Sequence, residues 1–353
     1  MAERAAGAFI SEEIASQGRA WADVIPLVTE RTKAIQELFR GIEEVVFTGC
    51  GSGLNASLCG ASVLQMQTGI SARAVPAAEV FLFPSSVLIR GHKTLAVLIS
   101  RSGKTTEVVR ALDYLRGKGV RTLGITCTEG SPLATGSDLA LVLTPLAEQA
   151  VATTRSLTGM ILTTQLVAAI VSGDEAYLDE LRCLPEHCQS QMRDFQELGQ
   201  AIGQRTELTK YAFVGNGPFF GLAQECQLKV KEMVLLPADA YPMLDFRHGP
   251  QSNVDAKMLV VAFISDTAPQ EETQFLREMR ALGGVTWALC DQADDELRAC
   301  ADYLLESRSG LSEFARGVLY MPAVQYMAYY RSLSLGLNPD EPRNLSYWID
   351  TSR

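Results

Sequence analysis

The stretch VVFTGCGSG at 45–53 has a counterpart far along the chain, YAFVGNGPF at 211–219. Both are apolar runs of strand length that end in small residues. LAVLIS (95–100) is answered by LVVAFIS (259–265), and KGVRTLGITC (118–127) by GGVTWALC (283–290). The spacings agree. Phe47 to Phe213 is 166 positions, while Ser100 to Ser265 and Gly119 to Gly284 are both 165. Three matching offsets constrain the chain more than any single motif, because they make it two copies of one unit of roughly 160 residues. Within each copy, apolar strands alternate with helical stripes. That alternation predicts an α/β fold, two tandem doubly wound parallel sheets of the flavodoxin-like kind. The expected layout is an N-terminal helical segment (1–34), a first domain (35–200), a second domain (201–340) and a C-terminal tail (341–353).

Composition excludes several classes. With 353 residues, 47% apolar and 20% charged, the chain has enough material for real cores. A net charge of −10 and a pI near 5.0 leave no basic face for nucleic acid. No uninterrupted apolar stretch approaches the ~20 residues of a membrane span. The N-terminus, MAERAAGAFISEEIASQG, is charged too early for a signal peptide. The expected compartment is the cytoplasm, with neither nucleic-acid nor membrane partners. The eight cysteines (50, 59, 127, 183, 188, 226, 290, 300) never form C-x-x-C, and only His92, His187 and His248 accompany them. Zinc-site spacings are therefore missing, and the cysteines read as reduced, mostly buried residues. No metal and no cofactor are expected.

The first copy carries Ser100-Arg101-Ser102-Gly103-Lys104-Thr105 between two elements. Leu95–Ile99 is a continuous apolar run, as in a strand covered on both faces. Val108, Val109, Ala111, Leu112 and Leu115 fall on one helical stripe, which Gly117 and Gly119 end. The loop thus joins a strand's carboxyl end to a helix N-terminus, where open α/β sheets bind ligands and where unpaired N–H groups suit an anion. Gly103-Lys104-Thr105 ends like a Walker A loop, but that motif needs glycine at 98, which is Leu. The alternative is that Ser102 and Thr105 only cap the helix. Gly49-Cys50-Gly51-Ser52-Gly53 falls short of a dinucleotide fingerprint, because position 54 is Leu and no acidic residue follows at the right distance.

In the second copy the equivalent loop reads Ser265-Asp266-Thr267-Ala268. An aspartate there repels phosphate, so one anion site per chain is expected, in the first copy. The second copy offers ECQLKVKEM (225–233) and DFRHGP (245–250) instead. Glu225, Lys229 and Glu232 are spaced four and three apart and line one helix face. The alternative to a functional role is an exposed i, i+4 ion-pair face with Glu232 solvated, and for His248 a satisfied loop histidine.

Taken together, in order, these motifs resemble the tandem sugar-isomerase-domain family. That family includes the isomerase half of glucosamine-6-phosphate synthase, aminosugar-phosphate deaminases and ketose–aldose isomerases, and fructoselysine-6-phosphate deglycases. The resemblance covers essentially the whole chain. It rests on 49–53, Ser-x-Ser-Gly-x-Thr at 100–105, AVATTRSLTGMILTTQL (150–166), LKVKEM (228–233), FRHGP (246–250) and PRNL (342–345). It implies that Ser100, Arg101, Ser102 and Thr105 hold a sugar phosphate. It implies that Gly51, Ser52 and Val151 line the sugar pocket with Lys229 nearby. Glu232 matches the carboxylate that moves a proton between C1 and C2. His248 matches the histidine that assists ring opening from a neighbouring subunit, which implies a homodimer with a shared active site. The synthase carries a tail lysine two residues after P-R-N-L; here Ser346 and Tyr347 follow, and no lysine comes after Lys257. A Schiff base from the tail is thus unavailable. No glutaminase half is recognised, so the resemblance leans to the deaminase/isomerase and deglycase branches.

The implied chemistry needs one base that takes a proton from one carbon and returns it to the next. The expected activity is a metal-independent phosphosugar isomerase or deaminase acting on a 6-phosphorylated aminosugar. The first alternative is a fructosamine-6-phosphate deglycase. The second is a non-catalytic sugar-phosphate sensor, which would need the phosphate loop but neither Glu232 nor His248.

Overall fold

The computed structural model describes residues 5–349. It divides into two compact units. The first comprises Ser16–Pro185 and the tail from Ser346. The second comprises the opening residues through Ala15 and Glu186–Leu345. The long helix Glu175–Gly203 runs through the division and carries Pro185 at that point. Residues 1–4 of the expected N-terminal segment and 350–353 of the expected tail lie outside the described residues.

The first unit holds a parallel sheet of β1 (Glu44–Gly49), β2 (Ser71–Pro76), β3 (Thr94–Ile99), β4 (Arg121–Thr126) and β5 (Leu139–Val142), in the order β2-β1-β3-β4-β5. The second unit holds β6 (Lys210–Val214), β7 (Ala238–Tyr241), β8 (Met258–Phe263), β9 (Val285–Cys290) and β10 (Tyr303–Glu306). Their order, β10-β9-β8-β6-β7, is the same one read from the other edge. This is the flavodoxin-like doubly wound arrangement, found twice. All pairings are parallel, with Phe47 opposite Val97 and Phe213 opposite Val261. Every residue of β1, β3 and β8 is buried, which is why apolar residues follow one another in these strands (Val45–Phe47, Leu95–Ile99, Met258–Phe263) rather than alternating with polar ones.

Helices cover both faces. In the first unit, Val108, Ala111, Leu112 and Leu115 of helix Thr106–Gly117 pack with Ala96 and Leu98 of β3. On the other face, helix Arg155–Ser172 packs against helix Ser52–Thr68 and against the N-terminal helix Gln17–Thr29. Trp21 Nε1 donates to Thr158 Oγ1 at 3.1 Å across that contact. Helix Arg155–Ser172 is long and apolar enough to cross a membrane by length and composition, but 83% of it is buried inside the fold. In the second unit, Phe246, Phe275, Leu276 and Met279 form a core with Val260 and Ala262 of β8. There, Asp340 accepts the Phe9 and Ile10 N–H groups and tethers helix Ala8–Ala15.

Candidate functional site

In a sheet of this order the crevice opens beyond the carboxyl ends of the strands where the order reverses, here β1 and β3. The loops after both strands carry candidate residues. After β1 the chain turns sharply through Gly51 into helix Ser52–Thr68. Gly53 is there because the helix passes so close to β3 that a Cβ would lie 2.6 Å from the Ile99 carbonyl oxygen. Ser52 is buried, and its Oγ accepts a 2.8 Å hydrogen bond from Thr153 Oγ1. That bond brings the segment around the half-buried Val151 to the Gly51–Ser52 turn.

After β3, Ser100, Arg101 and Ser102 are buried while Thr105 is half-buried. Ser100 Oγ lies 3.1 Å from Thr105 Oγ1 and accepts the Gly103 N–H at 3.2 Å. Ser102 Oγ accepts the Lys104 N–H at 3.2 Å. Gly103 has φ 61°, and any side chain there would collide with Ser131. Thr105 stands at the N-cap of helix Thr106–Gly117, yet its hydroxyl makes no capping hydrogen bond. The Ser100 and Thr105 hydroxyls therefore converge on one another rather than on the helix end. Among the described residues, no carboxylate is hydrogen-bonded to the backbone N–H groups of 101–105.

Arg101 stands apart from its neighbours. The resemblance gave it to the phosphate, but its guanidinium is turned into the protein. It pairs with Glu148 at 3.2 Å and donates to the carbonyls of Ala150 (3.0 Å), Val151 (2.8 Å) and Tyr347 (3.1 Å). It also stacks on the Tyr347 ring, 3.9 Å from the centroid. The physical reason is burial: an arginine 7% exposed must spend its fork on acceptors, and the bend at 148–151 supplies them. Glu148 completes the hub. It accepts the N–H and hydroxyl of Thr154 at 2.8 and 3.0 Å, the Ser156 N–H at 3.0 Å and the Ser156 hydroxyl. Thus one buried ion pair sets the course of the segment that carries Val151 and Thr153. Composition and spacing did not single out Glu148; its place two residues before AVATTRS was the available signal.

The tail lies on the same loop. Tyr347 Oη donates to the Glu148 carbonyl at 3.0 Å. Thr106 N–H donates to the Ile349 carbonyl at 3.3 Å, and Lys104 Nζ sits 5.4 Å from the Trp348 ring centroid. Ser346 is exposed, with its hydroxyl donating to the Trp348 carbonyl at 2.8 Å.

In the second unit, Glu225 and Lys229 belong to helix Pro218–Lys229, and Glu232 to the π-turn Val230–Val234 that continues it. Such turns recur at functional sites because they shift side chains off the α-helical register. The turn closes on Leu235 at φ 60°, an uncommon conformation for a leucine. Spacing alone left open an exposed ion-pair face; the structure buries these three residues instead, as the resemblance implied. Lys229 and Glu225 have no exposed side-chain surface, and Glu232 keeps 19%. Lys229 Nζ is 3.1 Å from Glu225 and 2.5 Å from Glu232. Burial alone would depress the Lys229 pKa, but the two carboxylates outweigh it and the pKa lies above the ordinary value. The chain of charges is minus, plus, minus, with only the last carboxylate reaching the surface. His248 follows the short 3₁₀ turn Leu244–Arg247 and is exposed.

The second copy's equivalent loop is differently occupied. The N–H groups of Asp266 and Thr267 donate to Glu313 Oε2 at 2.6 and 3.3 Å, and Thr267 Oγ1 donates to Glu313 Oε1 at 2.5 Å. Asp266 is held by both terminal nitrogens of Arg316, at 2.7 and 2.5 Å.

The SIS domain model matches residues 38–170 and again 209–334. Among curated proteins, the chain is 29% identical over 356 residues to the glutamine–fructose-6-phosphate aminotransferase (isomerizing) of Neisseria meningitidis serogroup B, covering 96% of this chain and 58% of the relative. It is 25% identical over 330 residues to that of Caldanaerobacter subterraneus, covering 91% and 54%. The chain thus spans little more than half the length of these relatives. Among solved structures, it is similar to tagatose-6-phosphate ketose/aldose isomerase from Escherichia coli, with TM-score 0.85, 26% identity and 96% of each chain covered. It is also similar to glucosamine-6-phosphate deaminase from Thermotoga maritima, with TM-score 0.73, 27% identity and 92% and 99% covered. With the domain matched twice over most of its length and the same sheet built twice, the chain belongs to the SIS-domain family.

Proposed function

We propose that this protein is a metal-independent phosphosugar isomerase of the deaminase type, acting on a 6-phosphorylated aminosugar. The observation that carries the reading is the charge chain Glu225–Lys229–Glu232, which ends in a carboxylate that is neither solvated nor fully buried. A proton shuttle needs a carboxylate held in place, ionised in the free enzyme and able to reach carbon-bound hydrogen. Lys229 positions Glu232, 2.5 Å away; its own pKa lies above the ordinary value, so it is not the neutral amine that imine formation needs.

In the proposed reaction, Ser100, Ser102, Thr105 and backbone N–H groups of their loop hold the phosphate, whose binding energy fixes the sugar. Gly51, Ser52 and Val151 border the sugar. Arg101 positions rather than binds: it keeps Val151 and Tyr347 in place. Ser346 and Tyr347 border the substrate from the tail. Glu232 takes the proton from C2 of the open-chain aldose and returns it to C1. With nitrogen on C2 the product is a C2 imine, which water hydrolyses to ketose and ammonia. His248, exposed, assists ring opening in the site of a second copy, so the working form is a homodimer. We place the enzyme in the cytoplasm, without nucleic-acid or membrane partners.

A second reading uses the same residues on a fructosamine 6-phosphate. Proton transfer from C1 to C2 then gives a C1 imine, whose hydrolysis releases the amine. A sensor without catalysis is the third. What disfavours it is Lys229: a charge buried with two carboxylates costs stability that mere binding of a phosphate would not require.

The experiment incubates the protein with hexosamine 6-phosphates and fructosamine 6-phosphates and assays ammonia, free amine and ketose 6-phosphate. Ammonia identifies the deaminase, and free amine the deglycase. Tight binding without either product identifies the sensor. In the active pair, Glu232→Gln should lower kcat by about 10²–10⁴ with little change in KM, and should abolish exchange of the substrate's transferred proton with deuterated solvent. Exchange at the parent rate in that variant would place the base elsewhere.

A further inference from the structure

We propose that Glu313 is a tethered ligand. The second copy retains a working oxyanion cradle, and the chain's own carboxylate fills it. Three observations converge.

The first is geometric. The loop Ser265–Ala268 leaves β8 and enters helix Pro269–Ala281, as Ser100–Gly103 leaves β3 toward helix Thr106–Gly117. Its donors converge on one carboxylate that is only 8% exposed, with two backbone N–H groups and one hydroxyl on its two oxygens. Charge-assisted bonds of this kind are roughly twice as strong as neutral ones.

The second is the repeat. Glu313 stands 165 positions after Glu148, the same offset that relates Ser265 to Ser100. The two glutamates are counterparts. Glu148 is drawn away from its loop's N–H groups by Arg101, Thr154 and Ser156. Glu313 is turned onto them.

The third is the charge exchange at the loop. Arg101 is replaced by Asp266, so nothing on the second loop attracts the glutamate sideways. The opposite charge comes instead from Arg316, which takes up Asp266. The remaining carboxylate facing the loop, Glu272, accepts the Ser265 N–H at 2.6 Å and the Asn216 amide at 2.9 Å. The cradle therefore holds one carboxylate-sized anion, already supplied, and each chain takes one sugar phosphate.

Truncation should convert the tethered ligand into an exchangeable one. In ¹⁵N-labelled Glu313→Ala, the Asp266 and Thr267 amide resonances should move saturably with added sodium acetate at constant ionic strength, and thermal stability should rise with them. The parent and Glu313→Gln, whose side chain still fills the space, should show neither response. Equal shifts in the parent, or none in folded Glu313→Ala, would overturn the proposal. Should the alanine variant fail to fold, Glu313→Gln still decides. Loss of charge should speed amide exchange at Asp266 and Thr267 by about tenfold relative to the parent, and unchanged exchange would refute the idea.

Discussion

Each unit buries an ion group, and the two are built on opposite plans. In the first unit, Arg101 and Glu148 have every visible partner inside the fold: carbonyls, a ring, hydroxyls and helix N–H groups. The pair behaves as a rivet that shapes loops. In the second unit, Lys229 is clasped by Glu225 below and Glu232 above, and the upper carboxylate keeps surface. Here burial secures one end so that the other is presented. Identical sheets thus support unlike duties. On the function proposed above, the first unit would hold an anion and the second would present a base.

The largest effect that would break this division is on binding. Ser102→Ala with Thr105→Ala should weaken sugar-phosphate affinity by about 3–6 kcal/mol, from ~1.5–3 per hydrogen bond to a charged group. Calorimetry should show the loss with the fold intact, while Thr267→Ala in the second copy leaves affinity unchanged. Equal losses would make the two loops equivalent.

The next test compares the ion groups themselves. Lys229→Met leaves the fully buried Glu225 without its cation, a loss that typically costs about 3–5 kcal/mol of stability. Arg101→Met should cost less, about 1–3 kcal/mol, because Glu148 keeps four other donors. Denaturant melts measure both. A larger loss for Arg101→Met would reverse the ranking and make the rivet the weightier element.

The smallest effect concerns Cys50, which sits in the Gly-rich turn where the second copy has Asn216. Burial, with help from the Glu107 charge, pushes its thiol up to about 11. Its thiolate fraction near pH 8 should then be on the order of 100-fold below that of an ordinary thiol. Iodoacetamide followed by mass spectrometry should label the exposed Cys183 first and Cys50 slowly. Equal labelling would show the turn to be open to solvent.

Much of this was legible in the chain. The two sheets could be read because β1, β3 and β8 are buried along their whole length, and burial writes unbroken apolar runs. The Ser100–Thr105 loop could be placed because strand and helix signals flank it. Side-chain direction was less visible. Arg101 has the right charge for a phosphate, but its acceptors lie 47 to 246 positions away, beyond any local pattern. The spacing of Glu225, Lys229 and Glu232 gave the pairing yet not its depth, since burial is decided by packing. The π-turn was equally hidden, because one shifted hydrogen bond leaves no mark on composition. Glu313 was readable in principle, through the repeat offset that joins it to Glu148.

The grip of Arg101 on the tail has a consequence in time. Glu148 is 47 positions from Arg101, whereas Tyr347 is 246 positions away. Closing the longer loop costs about 1.5 kcal/mol more in chain entropy. That cost must be met before the distant contact returns any stabilisation, which favours the nearer partner first. On that ground Arg101 is expected to meet Glu148 before the tail arrives, which φ-value analysis of Glu148→Ala and Tyr347→Ala would check. In that order the Ser100–Thr105 loop takes its shape before the tail segment at 346–349 comes to rest on it.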